Sequence, residues 1–343
     1  MARRPRRNHS NDFKAVLFSA AVLVSGCSQA KNVEESNSML DLKNTKDWCV
    51  GRYTFKLPKN AVLTGGADFY NSFEIKSYAY ADVKKLNSVY QSDFNKYNTG
   101  TKVTTVHYEL PTQESGTKTI RVFSGRLGSD PSIPSKLLGY VLDKGTLFVI
   151  KISFEKEKKD LATTEFNRLI DSISARGNNT IPKEKGICIT NGFIKDDGQE
   201  FRKSTNTLPF DLSGYPSVKI SLEAEAFAKP QVDLITRVKS NLKERGIYSL
   251  TTSSFKTIRK GNKNQTGGDP LTGQEWLSQA PMQGQNGAIA TWEHAGTVQN
   301  ALDPAIQLDV DSGFDGNNIK TSSLHEKETI QLYEFILNSI KKF

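Results

Sequence analysis

An α+β fold of two tandem, pseudo-repeated domains, each a mainly antiparallel sheet with helices packed on one face, is predicted by three observations. A strand pattern running into a helix pattern occurs twice, over residues 73–97 and again over 218–242. Each occurrence is followed by further strand patterns and closed by a second helix pattern. Between the two series lies RGNNTIPKEKG, residues 176–186, where Gly, Asn and Pro interrupt the apolar periodicity. The length of 343 residues also exceeds what one core usually organises.

The chain opens with a basic start (Arg3, Arg4, Arg6, Arg7, Lys14), a short apolar core from Ala15 to Val24, and the small residues Ser25 and Gly26 before Cys27. This is the anatomy of a secretory signal peptide. The apolar core is about half the ~20 residues that a membrane-crossing helix requires. Val24, Ser25, Gly26 and Cys27 resemble a bacterial lipobox, in which the cysteine is acylated and becomes the mature N-terminus. Residues 1–27 therefore read as a lipoprotein signal peptide with Cys27 as the lipidation site. Acyl chains contribute ~0.8 kcal/mol per buried CH2, so a triacylated Cys27 would hold the protein at a membrane surface. Ser28 after the cysteine favours the outer membrane. The polar, aperiodic residues 28–46 read as a flexible tether of roughly 25 Å reach.

The first domain is expected over residues 47–176. Phe73, Ile75, Ser77 and Ala79 alternate as a strand, and Val83, Leu86, Val89, Tyr90, Phe94 and Tyr97 recur at helical spacing. KTIRVFSG, KLLGYVLDKG and TLFVIKISF read as strands, with DKG at 143–145 a hairpin turn. Leu161, Phe166, Leu169, Ile170 and Ile173 then mark a closing helix. Residues 177–186 form a linker, and the second domain, 187–343, repeats the order. Val218, Ile220, Leu222, Ala224 and Ala226 alternate; Pro230 suits a first helical turn, with Val232, Ile235, Val238 and Leu242 as its stripe. SLTTSSFKTIRK, AIATWEHAG and PAIQLDVDSG read as strands. Ser323 with Glu326 three residues on reads as the capping box of a final helix carrying Ile330, Tyr333, Ile336, Leu337 and Ile340.

Charge and motifs exclude several function classes. Five basic residues and Asp12 lie in residues 1–27, so the formal charge of +9 falls to +5 for the mature chain. The remaining Lys and Arg are interleaved with acids and lack the clustered, aromatic-bearing pattern of a nucleic-acid surface. There is no G-x-S-x-G elbow, S-x-x-K or H-E-x-x-H. The mature histidines, His107, His294 and His325, fall in separate elements. Asp309, Asp311 and Asp315 suggest a calcium loop, but counting from Asp311 places Gly313 third and Ser322 twelfth, where a bidentate Glu is required. The Gly-rich run at 260–274 lacks G-K-[ST] and reads as an exposed loop. A binding protein without cofactor or metal is favoured over an enzyme. Cys49 and Cys188 remain after processing; in an oxidising periplasm they read as a disulfide, the alternative being two separate buried thiols.

WCVGRYTFKLPKNA (48–61), GICITNGFI (186–194), TGQEWL (272–277), ATWEHAG (290–296), DPAIQLDVDSG (303–313) and SSLHEKETIQLYEFILNSIKKF (322–343) occur in an order that covers both ends of the mature chain. Together they resemble the two-domain immunity family that neutralises class-four phospholipase effectors of type VI secretion. Tyr333 departs from that pattern, where a Trp is expected. The resemblance implies an inhibitor on the periplasmic side of a bacterial membrane, anchored through Cys27, that grips a lipase of α/β-hydrolase fold between its domains and keeps its lid from opening. It implies no catalytic residue, and no motif identifies the contacts. The loop at 260–274, with Lys263, Asn264, Gln274 and Glu275, and the aromatics Trp276 and Tyr215 are the candidates for partner binding. An envelope-assembly or lipid-binding lipoprotein with no toxin partner is the competing reading, and a hydrolase without a recognisable motif the third.

Overall fold

The computed structural model describes residues 40–98, 105–128, 130, 132–246, 248–249, 255–266, 270–280, 286–315, 318–319 and 321–343. Cys27 and most of the tether lie outside them. The first half runs β1 (Thr45–Val50), β2 (Tyr53–Pro58), β3 (Ala61–Leu63), β4 (Ala67–Tyr70), β5 (Phe73–Tyr78), α1 (Val83–Asn98), β6 (Thr105–Ser115), β7 (Lys118–Arg126), β8 (Ser135–Asp143), β9 (Thr146–Phe154), α2 (Lys159–Ser172) and β10 (Ile173–Ala175). The second half repeats this order. It runs β11 (Gly186–Ile189), β12 (Gly192–Lys195), β13 (Ser204–Leu212), β14 (Tyr215–Ala226), α3 (Leu234–Glu244), β15 (Lys256–Asn262), β16 (Gln274–Ala280), β17 (Gly287–His294) and β18 (Ala305–Ser312). A small hairpin, β19 (Phe314–Asp315) and β20 (Asn318–Ile319), precedes α4 (Glu326–Ser339) and β21 (Lys341–Lys342).

The two halves share one antiparallel sheet. Its path is β15-β16-β17-β18-β14-β13-β4-β5-β9-β8-β7-β6, so each half contributes the same strand order read from opposite ends. The halves meet where β13 pairs with β4, Asn206 opposite Asp68. A pseudo-two-fold axis through that seam, normal to the sheet, relates them.

The opening hairpins are exchanged between halves. Trp48, Val50, Tyr53, Phe55 and Leu57 of β1–β2 pack in the second half's core with Phe210, Leu222, Trp292, Leu308 and Ile336. Ile187, Ile189 and Ile194 of β11–β12 pack in the first half's core with Phe73, Ile150, Phe166 and Leu169. The short closing strands complete the exchange, β10 pairing with β12 and β21 with β2. The linear boundary at 177–186 therefore divides the sequence but not the cores. Those linker residues are also pinned, because Arg176 Nη1 donates to the carbonyls of Gly177 (3.0 Å), Asn178 (3.1 Å) and Thr180 (2.7 Å).

Local differences from the sequence reading have simple causes. α2 buries Ala162 with Phe166, Leu169 and Ile170, and leaves Leu161 63 % exposed, because the buried stripe is one position out of phase with that residue. α3 begins at Leu234 with Asp233 as its N-cap, accepting from Thr236 N at 3.0 Å, so Pro230 lies before the helix. α4 is capped by His325 with Glu328, whose carboxylate accepts from His325 N at 2.9 Å, instead of by Ser323 with Glu326. Ser323 N is instead bonded to Ser217 Oγ at 2.7 Å. The Lys144–Gly145 turn has positive φ at both residues, as a two-residue hairpin with right-handed twist requires.

Candidate functional site

Strand burial locates the surfaces that helices cover. α1 packs Leu86, Tyr90 and Tyr97 on Phe123, Leu138, Tyr140, Leu147 and Val149. α2 packs on Phe148 and Ile150, the alternate residues of the same strand, so the first half's sheet is covered on both faces. In the second half β13, β14 and β18 alternate regularly between buried and half-buried. Their buried residues lie under α4, while α3 sits on the opposite face at its margin, where Arg237 bonds Glu293 and Gln307. Following the register, α1 and α3 share one face of the continuous sheet, and among the described residues no other helix packs on the strands between them on that side.

This open face is polar. It presents Glu74, Lys76 and the 40 %-exposed Phe69 from the first half, and Thr205, Thr207, Ser221, Glu223, Asp309 and Asp311 from the second. Glu223 accepts from Thr207 Oγ1 at 2.8 Å, and Asp309 from Thr291 Oγ1 and Gln307 Nε2, both at 2.7 Å. Lys219 stands opposite Asp311 in the ladder, but its ammonium bonds Asp211 at 2.9 Å. Burial, reinforced by neighbouring carboxylates, pushes Glu223 up to about 7 and Asp311 up to about 8, and raises Asp309 despite its two donors.

A folded-state pKa above the unfolded one means that folding takes up protons. Glu223 and Asp311 therefore lose stabilising free energy as pH rises from about 4, the unfolded value, through about 7 and about 8, and Asp309 contributes in the same direction. Glu223→Gln with Asp311→Asn should accordingly stabilise the protein at pH 8, by on the order of 2 kcal/mol, and have little effect near pH 4. Urea unfolding at the two pH values measures this; equal shifts at both would contradict the burial cost assigned to the charges.

The candidate contact residues do not converge. Glu275 is buried on the α4 side, 3.2 Å from Arg259 Nε and accepting from Tyr333 Oη at 3.0 Å, so it is a packing residue and not a surface contact. Tyr333, the departure from the family pattern, thus has its own buried partner. Tyr215 packs half-buried against the second half's core. Gln274 accepts from Ile235 N at 3.3 Å, and Trp276, half-buried on the α3 side, lies 3.6 Å from Lys260 Nζ. The described part of the run at 260–274 is held: Lys263 O accepts from Trp292 Nε1 at 2.8 Å, and Gln265 donates to Leu337 O at 2.7 Å; Asn264 is exposed, and residues 267–269 lie outside the described residues. TGQEWL, which the loop reading at 260–274 reaches only in its first three residues, lies from Gln274 onward in the inner strand β16. Missed altogether was the open face; the alternation of STNTLPFDL at 204–212 was the available signal.

Cys49 and Cys188 are joined by a disulfide, with Cα atoms 5.8 Å apart. Each is the second-last residue of the first strand of its hairpin, so the bond links equivalent positions across the pseudo-two-fold axis. His294 contacts Thr272 O and Asp303, and His325 caps α4; they are far apart in the chain and in separate elements, while the His107 side chain lies outside the described residues. Among the described residues no group of three His, Cys, Asp or Glu side chains is arranged to hold a metal ion.

The model of the Tle cognate immunity protein 4 N-terminal domain matches residues 46–184, and that of its C-terminal domain residues 180–342. The chain belongs to the Tle cognate immunity protein 4 family. Among solved structures, apo TplEi, an immunity protein of the type VI secretion system of Pseudomonas aeruginosa, is similar at a TM-score of 0.70 and 19 % identity, covering 88 % of this chain and 98 % of that one. A Tle4–Tli4 complex chain gives 0.69, 19 %, 88 % and 98 %. TplEi bound to an "L" peptide gives 0.65, 19 %, 88 % and 99 %. At that identity the likeness shows the fold. No curated protein matches the chain.

Proposed function

We propose that this member of the Tle cognate immunity protein 4 family binds a type VI secretion phospholipase effector and inhibits it on the periplasmic side of a bacterial membrane. Family membership over both domains supports the class of partner, as does the Tle4–Tli4 complex among its structural relatives. The observation that carries the binding mode is the open sheet face, which crosses the seam between the halves and is flanked by α1 and α3. A lipase seated there would touch both domains at once. Its α/β-hydrolase body would be clamped and its lid kept shut, which needs surface complementarity and no catalytic group. An interface of that extent belongs to the class above ~2,000 Å2. Acylation at Cys27 and the tether at 28–46 would hold the inhibitor where the effector meets its phospholipid, with the outer membrane favoured.

The mature chain, residues 28–343, should bind the phospholipase encoded beside its gene stoichiometrically and abolish its hydrolysis of phospholipid vesicles. The full-length chain should fractionate with membranes and its Cys27→Ala form should not. A lipase that neither binds nor loses activity would leave an envelope lipoprotein without a toxin partner, and lipid turnover by the chain itself would make it a hydrolase.

A further inference from the structure

Tyr80, in the turn between β5 and α1, is fully exposed and has left-handed backbone at φ 54. That region is unfavourable for a bulky side chain, and no packing of the ring offsets it. The turn is nonetheless fixed. Ala81 N donates to Gly145 O at 2.8 Å, and Asp82 caps α1 by accepting from Lys85 N at 2.8 Å. The pseudo-repeat supplies the comparison. α3 is capped by Asp233 as α1 is by Asp82, so Gln231 stands where Tyr80 does. Gln231 is not left-handed, and its side chain donates to Glu225 at 2.7 Å. The same turn is thus made in the second half without strain or an exposed ring, so the fold does not require Tyr80.

The charge around Tyr80 is positive. Lys76 and Lys85 Nζ lie 5.3 and 5.2 Å from the centre of the Tyr78 ring, which gathers them at the end of β5. Lys144 is at the tip of the β8–β9 hairpin, next to the glycine whose carbonyl holds the turn. All three are exposed, and none pairs with a carboxylate among the described residues. The Asp82 carboxylate is turned back onto the helix it caps. Val83, 51 % exposed, adds an aliphatic group beside the ring. A tyrosine and a valine among unpaired lysines suit the headgroup level of a bilayer, with the ring at the interface and the ammonium groups on anionic phosphates.

The tether favours lipid over a protein as the occupant. β5 pairs with β4 and β4 with β13, both antiparallel, so β5 runs parallel to β13. Tyr80 and the turn at Ser213 therefore leave the sheet at the same end. Asn60 Nδ2 donates to Ser213 O at 2.6 Å, and Lys59 N to Asn44 O at 2.8 Å. Asn44 is near the end of the segment read as a tether, 28–46, so an acyl group on Cys27 would draw this end of the body to the membrane. We propose that Tyr80, Val83, Lys76, Lys85 and Lys144 form a seat on anionic phospholipid, which stands the strands upright on the bilayer with the open face beside the lipid and not against it. The direction of the tether rests on the proposed acylation of Cys27; the affinity of the seat for lipid does not.

Co-sedimentation of the mature chain, residues 28–343 without an acyl group, with vesicles of phosphatidylethanolamine and phosphatidylglycerol tests the seat. Binding should be salt-sensitive and absent on phosphatidylcholine vesicles. A lysine at an anionic surface strengthens partition roughly fivefold, so Lys85→Glu with Lys144→Glu should weaken binding at least tenfold. Lys229→Glu with Lys327→Glu, the same charge change at exposed sites elsewhere, should weaken it far less. Tyr80→Gly should also weaken it, and should melt no lower than wild type because glycine accepts the left-handed turn. No binding by wild type, unchanged binding by Tyr80→Gly, or an equal loss in both lysine pairs would overturn the proposal. So would a Lys85→Glu, Lys144→Glu chain that keeps its vesicle affinity but loses affinity for the neighbouring phospholipase, since the patch would then belong to the protein interface. A lipase that ignores the wild-type chain would sink the proposed function without touching the vesicle result.

Discussion

Replacing Cys49 and Cys188 together with alanine should lower stability by about 4 to 5 kcal/mol, the chain-entropy value for a loop of that size. The bond closes 139 residues of sequence, so the unfolded chain regains a large conformational freedom when it is absent. Its position adds a second consequence. Gly51 N donates to Cys188 O at 3.0 Å and Cys188 N to Gly51 O at 2.7 Å, so the two exchanged hairpins touch backbone to backbone beside the sulfurs. Gly51 has φ +55, and a Cβ there would lie 2.5 Å from Ala224 Cβ, so the crossing is tight as well as bridged. Each hairpin belongs covalently to one half and energetically to the other. Loosening their crossing should therefore weaken both cores together, and hydrogen exchange in β1–β2 and β11–β12 should accelerate in parallel. Urea unfolding with and without reductant gives the size of the effect. An unchanged midpoint, or exchange confined to one hairpin, would mean that the cores are held without the crossing.

How much of this was legible in the sequence depended on where each contact lies along the chain. The repeat was legible because alternation and helical spacing are local, as in Phe73 to Tyr97 and Val218 to Leu242. The turn at Lys144–Gly145 was legible for the same reason. The hairpin exchange was not, because Trp48 and Ile187 have the same apolar pattern whichever core receives them. The seam between Asn206 and Asp68 is likewise a pairing of residues 138 apart, with no local trace. For the candidate site, composition pointed to Gly-rich and aromatic residues. Trp276 and Glu275 sit one residue apart on a strand, and pleating sends them to opposite faces. Asp309 and Asp311 were visible only as part of a failed calcium loop and Glu223 only as a polar position of an alternating strand, since it takes the sheet to set the three near one another.

The largest single-residue effect is expected at Arg52, in the turn of the first hairpin. Its guanidinium is 4 % exposed and donates to Asp196 Oδ1 and Asp196 O at 2.9 Å, and to Gly186 O at 3.2 Å. Asp196, 6 % exposed, also accepts from Tyr70 Oη on β4. One side chain thus ties the exchanged hairpin to the segment following β12 and, through Asp196, to the sheet of the first half. Arg52→Ala strands a buried carboxylate beside two carbonyls that lose their donors. Breaking a buried pair in this way costs about 3–5 kcal/mol, most of it the uncompensated charge and not the lost attraction. Asp196→Asn in the same background should recover part of that loss, because the asparagine needs no counter-charge and its carbonyl still accepts from Tyr70. The double variant should therefore be more stable than Arg52→Ala alone, a coupling of at least ~1 kcal/mol that a urea double-mutant cycle reads directly. Strictly additive losses would mean that Arg52 acts through its carbonyl bonds to the hairpin and not through the charge of Asp196.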